Sequence, residues 1–251
     1  MKRIITMTIL LNVYAYTGKA QQSGIVHYDR VIHMKPGNMD DIPENIRALM
    51  PKETTEKKIL LFTPARSLYK NDAVKEAPPQ ELSAGGMVIR MQTSTTEESL
   101  FRDFDAKHQV FQQELVGRTF LISDEWPEAK WKMTGNQKSI LGHPVMEATT
   151  VKDKDTITAW FTTDFPVPAG PEYIGGLPGL ILEASFGDNM SVKATAIEAG
   201  DAGLEKKIKE PTRGKKVTSQ QFAEIQRQKS AEMKSQFSGA GTDVVIQTIG
   251  N

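Results

Sequence analysis

Trp160-Phe161-Thr162-Thr163-Asp164-Phe165-Pro166-Val167-Pro168-Ala169-Gly170-Pro171 runs into Glu172-Tyr173-Ile174-Gly175-Gly176-Leu177-Pro178-Gly179-Leu180-Ile181-Leu182-Glu183. The stretch opens on aromatic and β-branched residues, stiffens through Pro166, Pro168 and Pro171, turns, and returns to an apolar run. It reads as strand, crossing, tight turn, strand. Pro178 suits position i+1 of a type II turn and Gly179 position i+2, where φ is positive. Leu177 and Leu180 flank that turn and can both face a core. Gly175-Gly176 allows a close backbone approach or an unusual dihedral.

Short strands lie on both sides. Leu180 to Phe186 turns at Gly187-Asp188-Asn189 into Met190 to Ile197, where Met190, Val192, Ala194 and Ala196 alternate with Ser191, Lys193 and Thr195. That period marks a sheet with one wet face. Upstream, Lys130 to Met133 turns at Gly135-Asn136. Val145 to Val151 then turns through Lys152–Asp155 into Thr156 to Thr162. Nearer the start, Gly24 to Met34, Lys57 to Lys70, Met87 to Gln92, Glu98 to Asp105, Lys107 to Val116 and Phe120 to Ser123 have strand character, and Asp124 to Pro127 reads as a turn. Pro36 to Pro51 is irregular, with a short helix expected over Glu44 to Met50. Asp72 to Gly86, with Pro78-Pro79 and Gly85-Gly86, reads as an exposed loop.

One long helix is signalled. Thr218 with Gln221 three residues on forms a capping box, with Val217 and Phe222 placed as its hydrophobic staple. Phe222, Ile225, Lys229, Met233 and Phe237 make a narrow stripe, which predicts a helix packed across the sheet. Asp243 to Ile249 reads as a last strand. The fold class is therefore mainly β (β-rich α+β): an antiparallel curved sheet or open barrel-like meander with one C-terminal helix packed on it.

Lys2-Arg3, the mostly apolar run Ile4 to Tyr16 and Gly18-Lys19-Ala20 follow the order of a secretory signal, with cleavage expected before Gln21. The expected organisation is a leader over 1–20 and a single domain over 21–251, periplasmic or secreted. No later run reaches the roughly 20 apolar residues of a membrane span. The chain carries 31 basic and 31 acidic residues; Lys2, Arg3 and Lys19 would leave with the leader, so the mature chain is acidic by three. That balance gives no case for nucleic acid or an anionic membrane. The absence of cysteine removes disulfides, thiol nucleophiles, thiolate metal sites and a cysteine-borne lipid anchor.

The chemistry-bearing residues are sparse. His27 and His33 share a strand face about 20 Å apart, too far for one metal. His143 and Glu147, four apart, could share a face, but Pro144 lies between them. The methionines lack a repeated spacing and suit core filling. The acidic pairs, such as Asp103/Asp105 and Asp153/Asp155, lack the glycine and closing Glu of a calcium loop. No nucleophile elbow, P-loop or dinucleotide fingerprint occurs. No catalytic residue, metal ligand or cofactor is assigned. Trp160, Tyr173 and Leu177 are the candidate ligand-binding residues, grouped around a possible apolar pocket.

Gly176-Leu177-Pro178-Gly179-Leu180-Ile181 carries a resemblance. Together with Ile140-Leu141-Gly142, Ala148, Ala159-Trp160-Phe161-Thr162, Gly170-Pro171, Lys209-Glu210-Pro211-Thr212, Gly214, Thr218 and Phe222, it resembles the GLPGLI family of exported proteins of Bacteroidota-type bacteria. The match spans most of Lys130 to Lys234. It implies export and this fold. That family has no assigned activity, so the resemblance supplies no catalytic residues. Val145 stands where many members carry a cysteine. The sequence thus points to a non-enzymatic envelope protein that binds a protein partner or an apolar ligand. Alternatives are copper or zinc handling through His and Met, and a hydrolase with an unrecognised site.

Overall fold

The computed structural model describes residues 23–33, 51–72, 80–84, 87–91, 98–126, 129–152 and 155–237. The leader, Met34, the helix expected over 44–50 and the strand expected over 243–249 lie outside them. The strands are β1 (Gly24–His33), β2 (Glu53–Phe62), β3 (Arg66–Asn71), β4 (Gln80–Ala84), β5 (Met87–Met91), β6 (Ser99–Asp103), β7 (His108–Leu115), β8 (Arg118–Glu125), β9 (Lys132–Ile140), β10 (His143–Lys152), β11 (Asp155–Thr162), β12 (Leu180–Phe186), β13 (Met190–Ala199) and β14 (Lys215–Val217). The helices are α1 (Leu204–Lys207) and α2 (Ser219–Phe237).

Twelve strands form one open sheet in the order β14-β8-β7-β6-β3-β2-β1-β13-β12-β11-β10-β9, and β4–β5 is a separate hairpin. The chain is mostly β, as the alternation predicts. Two meanders, β2 to β8 and β9 to β13, are joined through β1, which pairs with β2 on one side and β13 on the other. Among the described residues every pairing is antiparallel except that of β14, which lies parallel to β8 on the edge.

Four local expectations change. The run Lys57 to Lys70 is a hairpin: Pro64 cannot donate to a ladder, and Thr63 and Arg66 close the turn through backbone and hydroxyl hydrogen bonds. Part of the loop expected over 72–86 is strand β4. Asp124 and Glu125 belong to β8 rather than to a turn. Gly135-Asn136 does not end a strand. It is a bulge inside β9, whose register against β10 jumps between Met146↔Gln137 and Ala148↔Met133.

The two meanders share one core. Leu60, Phe62 and Leu100 from the first and Val26 and Tyr28 from β1 pack in one cluster with Val145, Ala148, Ala159, Leu182 and Ala184 from the second. The crossing segment 163–179 fills the space between them, burying Phe165, Val167, Ala169, Ile174 and Leu177. The sheet's other face is partly covered. Leu204 and Ile208, in and just beyond α1, pack on Leu61, Leu68 and Phe101 of β2, β3 and β6.

The turn motif is structural, by a different device from the one the type II reading supposes. Gly176 holds the left-handed backbone, with φ at +83°, and Gly179 does not. At Gly179 a Cβ would lie 2.1 Å from the Thr162 carbonyl oxygen, so glycine is required by contact rather than by dihedral. Leu177, Leu180 and Ile181 are all buried.

The helix signals hold. Thr218 N–H donates to Gln221 Oε1 (3.0 Å) and Gln221 N–H donates to Thr218 Oγ1 (3.2 Å), closing the capping box. Val217 and Phe222 are buried together with Leu115, Phe120 and Ile122. The helix packs on the sheet, and its contacts among the described residues come from its first turns. These clamp the β8–β14 edge, where the Phe222 and Phe120 rings meet edge-on at 5.4 Å. No helix among the described residues is long and apolar enough to cross a membrane.

Arg102 on β6 is among the largest fully buried side chains of the described residues. Its guanidinium donates to the carbonyls of Ile174 (2.8 Å) and Glu172 (3.0 Å) and, at 3.4 Å, to that of Gly170. It also lies 5.3 Å from the centre of the Trp126 ring. Burial lowers its pKa to about 9, with Glu172 opposing the shift, so it remains a cation at neutral pH.

Two stability predictions follow from these contacts. Gly179→Ala should destabilise the fold by about 1–3 kcal/mol in urea unfolding, since backbone must move to admit the methyl. Arg102→Met should cost about 3 kcal/mol or more, by stranding the crossing's carbonyls in an apolar interior. An unchanged midpoint in either variant would contradict these accounts.

Candidate functional site

Trp160, Tyr173 and Leu177 do not form one site. Leu177 is 1% exposed and belongs to the core. Trp160 pairs across the strands with Glu183. Tyr173, 43% exposed, meets the ring of Phe186, three residues further along β12. In a regularly paired strand a three-residue step changes face, so Trp160 and Tyr173 flank opposite faces of β12. Each ring carries an ammonium group: Lys138 Nζ lies 4.1 Å from the centre of Trp160, and Lys152 Nζ 3.8 Å from that of Tyr173.

Register places Trp160 in a row. Glu147 faces Trp160, Trp160 faces Glu183, Glu183 faces Lys193, Lys193 faces Asp29, and Asp29 faces Lys57. Six side chains from six strands therefore cross the sheet's outer face over about 24 Å, at about 4.8 Å per strand. Lys57 Nζ donates to Asp29 at 2.6 Å, and Lys138 Nζ donates to Glu183 at 2.7 Å. The next row on the same face is hydroxylated: Thr149, Thr158, Ser185 and Ser191 stand opposite one another, followed by Val31 and Thr55.

The β9 bulge completes the site. By adding residues opposite Glu147, it brings Thr134 and Asn136 onto one carboxylate oxygen. Thr134 Oγ1 donates to Glu147 Oε2 at 2.6 Å and Asn136 Nδ2 at 2.7 Å. These two bonds, Thr134 first, hold the Glu147 carboxyl below the ordinary glutamate range, and the Lys138 charge acts in the same sense.

On the inner face a second cluster is closed on itself. Arg30 pairs with Glu56 (2.9 Å) and Glu172 (3.2 Å), Lys58 with Glu56 and Glu98, and Tyr69 donates to Glu172 at 2.8 Å. Glu172 has φ at +53°, a strained dihedral for a residue with a side chain. Its carboxylate is held by Arg30 and Tyr69 and its carbonyl by Arg102, which keeps the strained turn in place. This cluster pins the crossing.

The histidines do not converge. His27 bridges Asp72 and Glu198, His33 pairs with Glu53, and His143 pairs with Asp164 at 2.7 Å rather than with Glu147. Among the described residues, no three His, Asp or Glu side chains are grouped to hold a metal. Sequence reasoning missed Lys138 and Glu183 as site residues. The hairpin symmetry that sets Glu147 opposite Trp160, and Glu183 opposite Lys193, could be read from the polar turns that the sequence predicts at 152–155 and 187–189. The Trp160–Glu183 pairing spans the crossing and could not.

A mostly β domain whose open sheet wraps a filled crossing and presents a patterned polar face is the class defined here. Residues 119–225 match the family model described as N-glycanase peptide, N-terminal domain. In structure, the chain is similar to PNGF-II in two crystal forms. The TM-score is 0.55 for both, with 16% and 17% identity, covering 81% of this chain and 33% and 32% of those chains. The likeness is one of fold, and this chain spans about a third of the length of those solved chains. No curated protein matches it in sequence.

The hydrogen bonds to Glu147 carry a titration prediction. Its folded pKa lies below the ordinary 4.5, so the stabilisation it gives is present above that value and lost as pH falls through the folded one. Carboxyl NMR titration should find Glu147 below the ordinary value, and Thr134→Val should move it upward. An unmoved titration in that variant would refute the role given to Thr134.

Proposed function

We propose that this is an exported, non-enzymatic binding protein of a bacterial envelope, and that it recognises a carbohydrate-bearing partner through the outer face of β9 to β13 and β1. The leader over 1–20 and the GLPGLI-type segment support export to the periplasm or beyond. The cross-strand row around Trp160 carries the binding reading. It places a half-buried aromatic ring among alternating acceptors and donors, beside a row of hydroxyls. Sugars present apolar C–H faces and many hydroxyls, and such a surface answers both. The structural likeness to PNGF-II, and the match to a domain named for N-glycanase, favour a glycan over an unrelated apolar ligand.

Chemistry at this site favours binding over hydrolysis. A carboxylate pair that cleaves glycosides needs one member protonated as general acid. Glu147 is pushed the other way, by hydrogen bonds to its ionised form, and Glu183 accepts a hydrogen bond from Lys138.

The test is direct binding of the full chain to an immobilised panel of N-glycans and hexosamine polymers. At least one class should bind, and Trp160→Ala should weaken it by about tenfold or more while the variant keeps its β-sheet circular dichroism spectrum. Tyr173→Ala, on the opposite face, should leave it unchanged. Loss of binding in Tyr173→Ala alone would move the site to the other face, and a panel with no binder would overturn the carbohydrate reading.

A further inference from the structure

Trp160 already holds a cation. Lys138 reaches over it from edge strand β9, and its ammonium lies against the ring while donating to Glu183. Glu147 stands on the other side of Trp160 in the row, and its charge acts on the same amine. An aromatic face between two carboxylates selects an ammonium group, because the ring's negative face attracts the charge and the carboxylates accept its protons. The Glu147 carboxylate has no freedom to turn away, being fixed by Thr134 and Asn136. The occupant, by contrast, is loosely held. Lys138 is 35% exposed, on a flexible stem, and surface ion pairs of this kind contribute little to stability.

We propose that this is an exchangeable cation site. The ligand's ammonium group displaces Lys138 from Trp160, and the ligand is an amino sugar, a saccharide with a free primary amine. The inference rests on the carbohydrate reading above and narrows it. The amine takes the place between Glu147 and Glu183, the sugar ring lies along the row, and the released Lys138 ammonium turns to solvent. Lys138 is thus a built-in competitor that sets a threshold on binding.

The experiment uses the full chain at mildly acidic pH, where a hexosamine amine is protonated and Glu147 is still ionised. Three probes are titrated by calorimetry and by tryptophan emission: a short chitosan oligomer, the fully N-acetylated chitin oligomer of the same length, and a trilysine peptide. Chitosan should bind about tenfold or more tightly than either of the others. Lys138→Gln should tighten chitosan binding several-fold by removing the competitor. Glu183→Gln, at unchanged melting temperature, should weaken it by about tenfold or more. Equal binding of chitosan and chitin would overturn the amine inference and leave the carbohydrate reading standing. Trilysine binding as tightly as chitosan would show that amines are read without the sugar, and would overturn it too. Weaker chitosan binding by Lys138→Gln would refute displacement. A chain that binds no saccharide fails both readings together.

Discussion

A guanidinium buried against peptide carbonyls holds this protein's shape. Arg102 stands on β6 of the first meander and donates to the carbonyls of the crossing, which belongs to the second. Carbonyls inside a protein need donors, and a segment as irregular as 163–179 cannot supply its own through a ladder. Arg102 answers that need with one side chain, and Glu172 ties the same turn to Arg30 and Tyr69. Removing a charge from water is costly, so the arrangement holds only because donors and acceptors are matched on all sides. Tyr28, whose hydroxyl donates to the Ile181 carbonyl at 2.6 Å, adds a contact of the same kind from β1.

With the crossing fixed, β11 and β12 acquire their register, and the outer face follows from it. The Trp160–Glu183 pair forms only because the segment between them returns the chain to the adjacent strand. The bulge in β9 then decides the local electrostatics, since it is what carries Thr134 and Asn136 to Glu147. The inner face is filled and closed by ion pairs, whereas the outer face of the second meander is patterned and polar. The inner face therefore holds the fold together, while the outer face is apolar under α1 and polar along the row through Trp160.

Much of the fold was legible from residues alone. Alternation in Met190 to Ala194 set the face of that part of β13, but a bulge opposite His27 and Tyr28 leaves Ala196 exposed and puts Ile197 against the core. The Thr218–Gln221 box located the start of α2 to the residue. The turn at Gly187–Asn189 joined two strands as expected. Misreadings came where local chemistry has two outcomes. Glycine beside asparagine serves a turn or a bulge equally well, and at 135–136 the continued pairing of β9 with β10 chose the bulge. Pro178-Gly179 suits a type II turn, but the approach of the Thr162 carbonyl sets the conformation there, and the left-handed residue is Gly176.

By itself, the sequence determined that the chain is mostly strand, the apolar face of strands such as β1 and the first half of β13, where α2 is capped and that glycines must lie in the turn before β12. These depend on neighbours within a few residues, through side-chain period, capping geometry and backbone freedom. Tertiary structure alone decided that Arg102 meets the crossing, that Trp160 and Tyr173 part to opposite faces, and that Glu147, Trp160 and Glu183 fall into one row with Lys138 over it. Those contacts join residues far apart in the chain. Their formation depends on sheet register and on burial of a charge, and neither is written in any local run of residues.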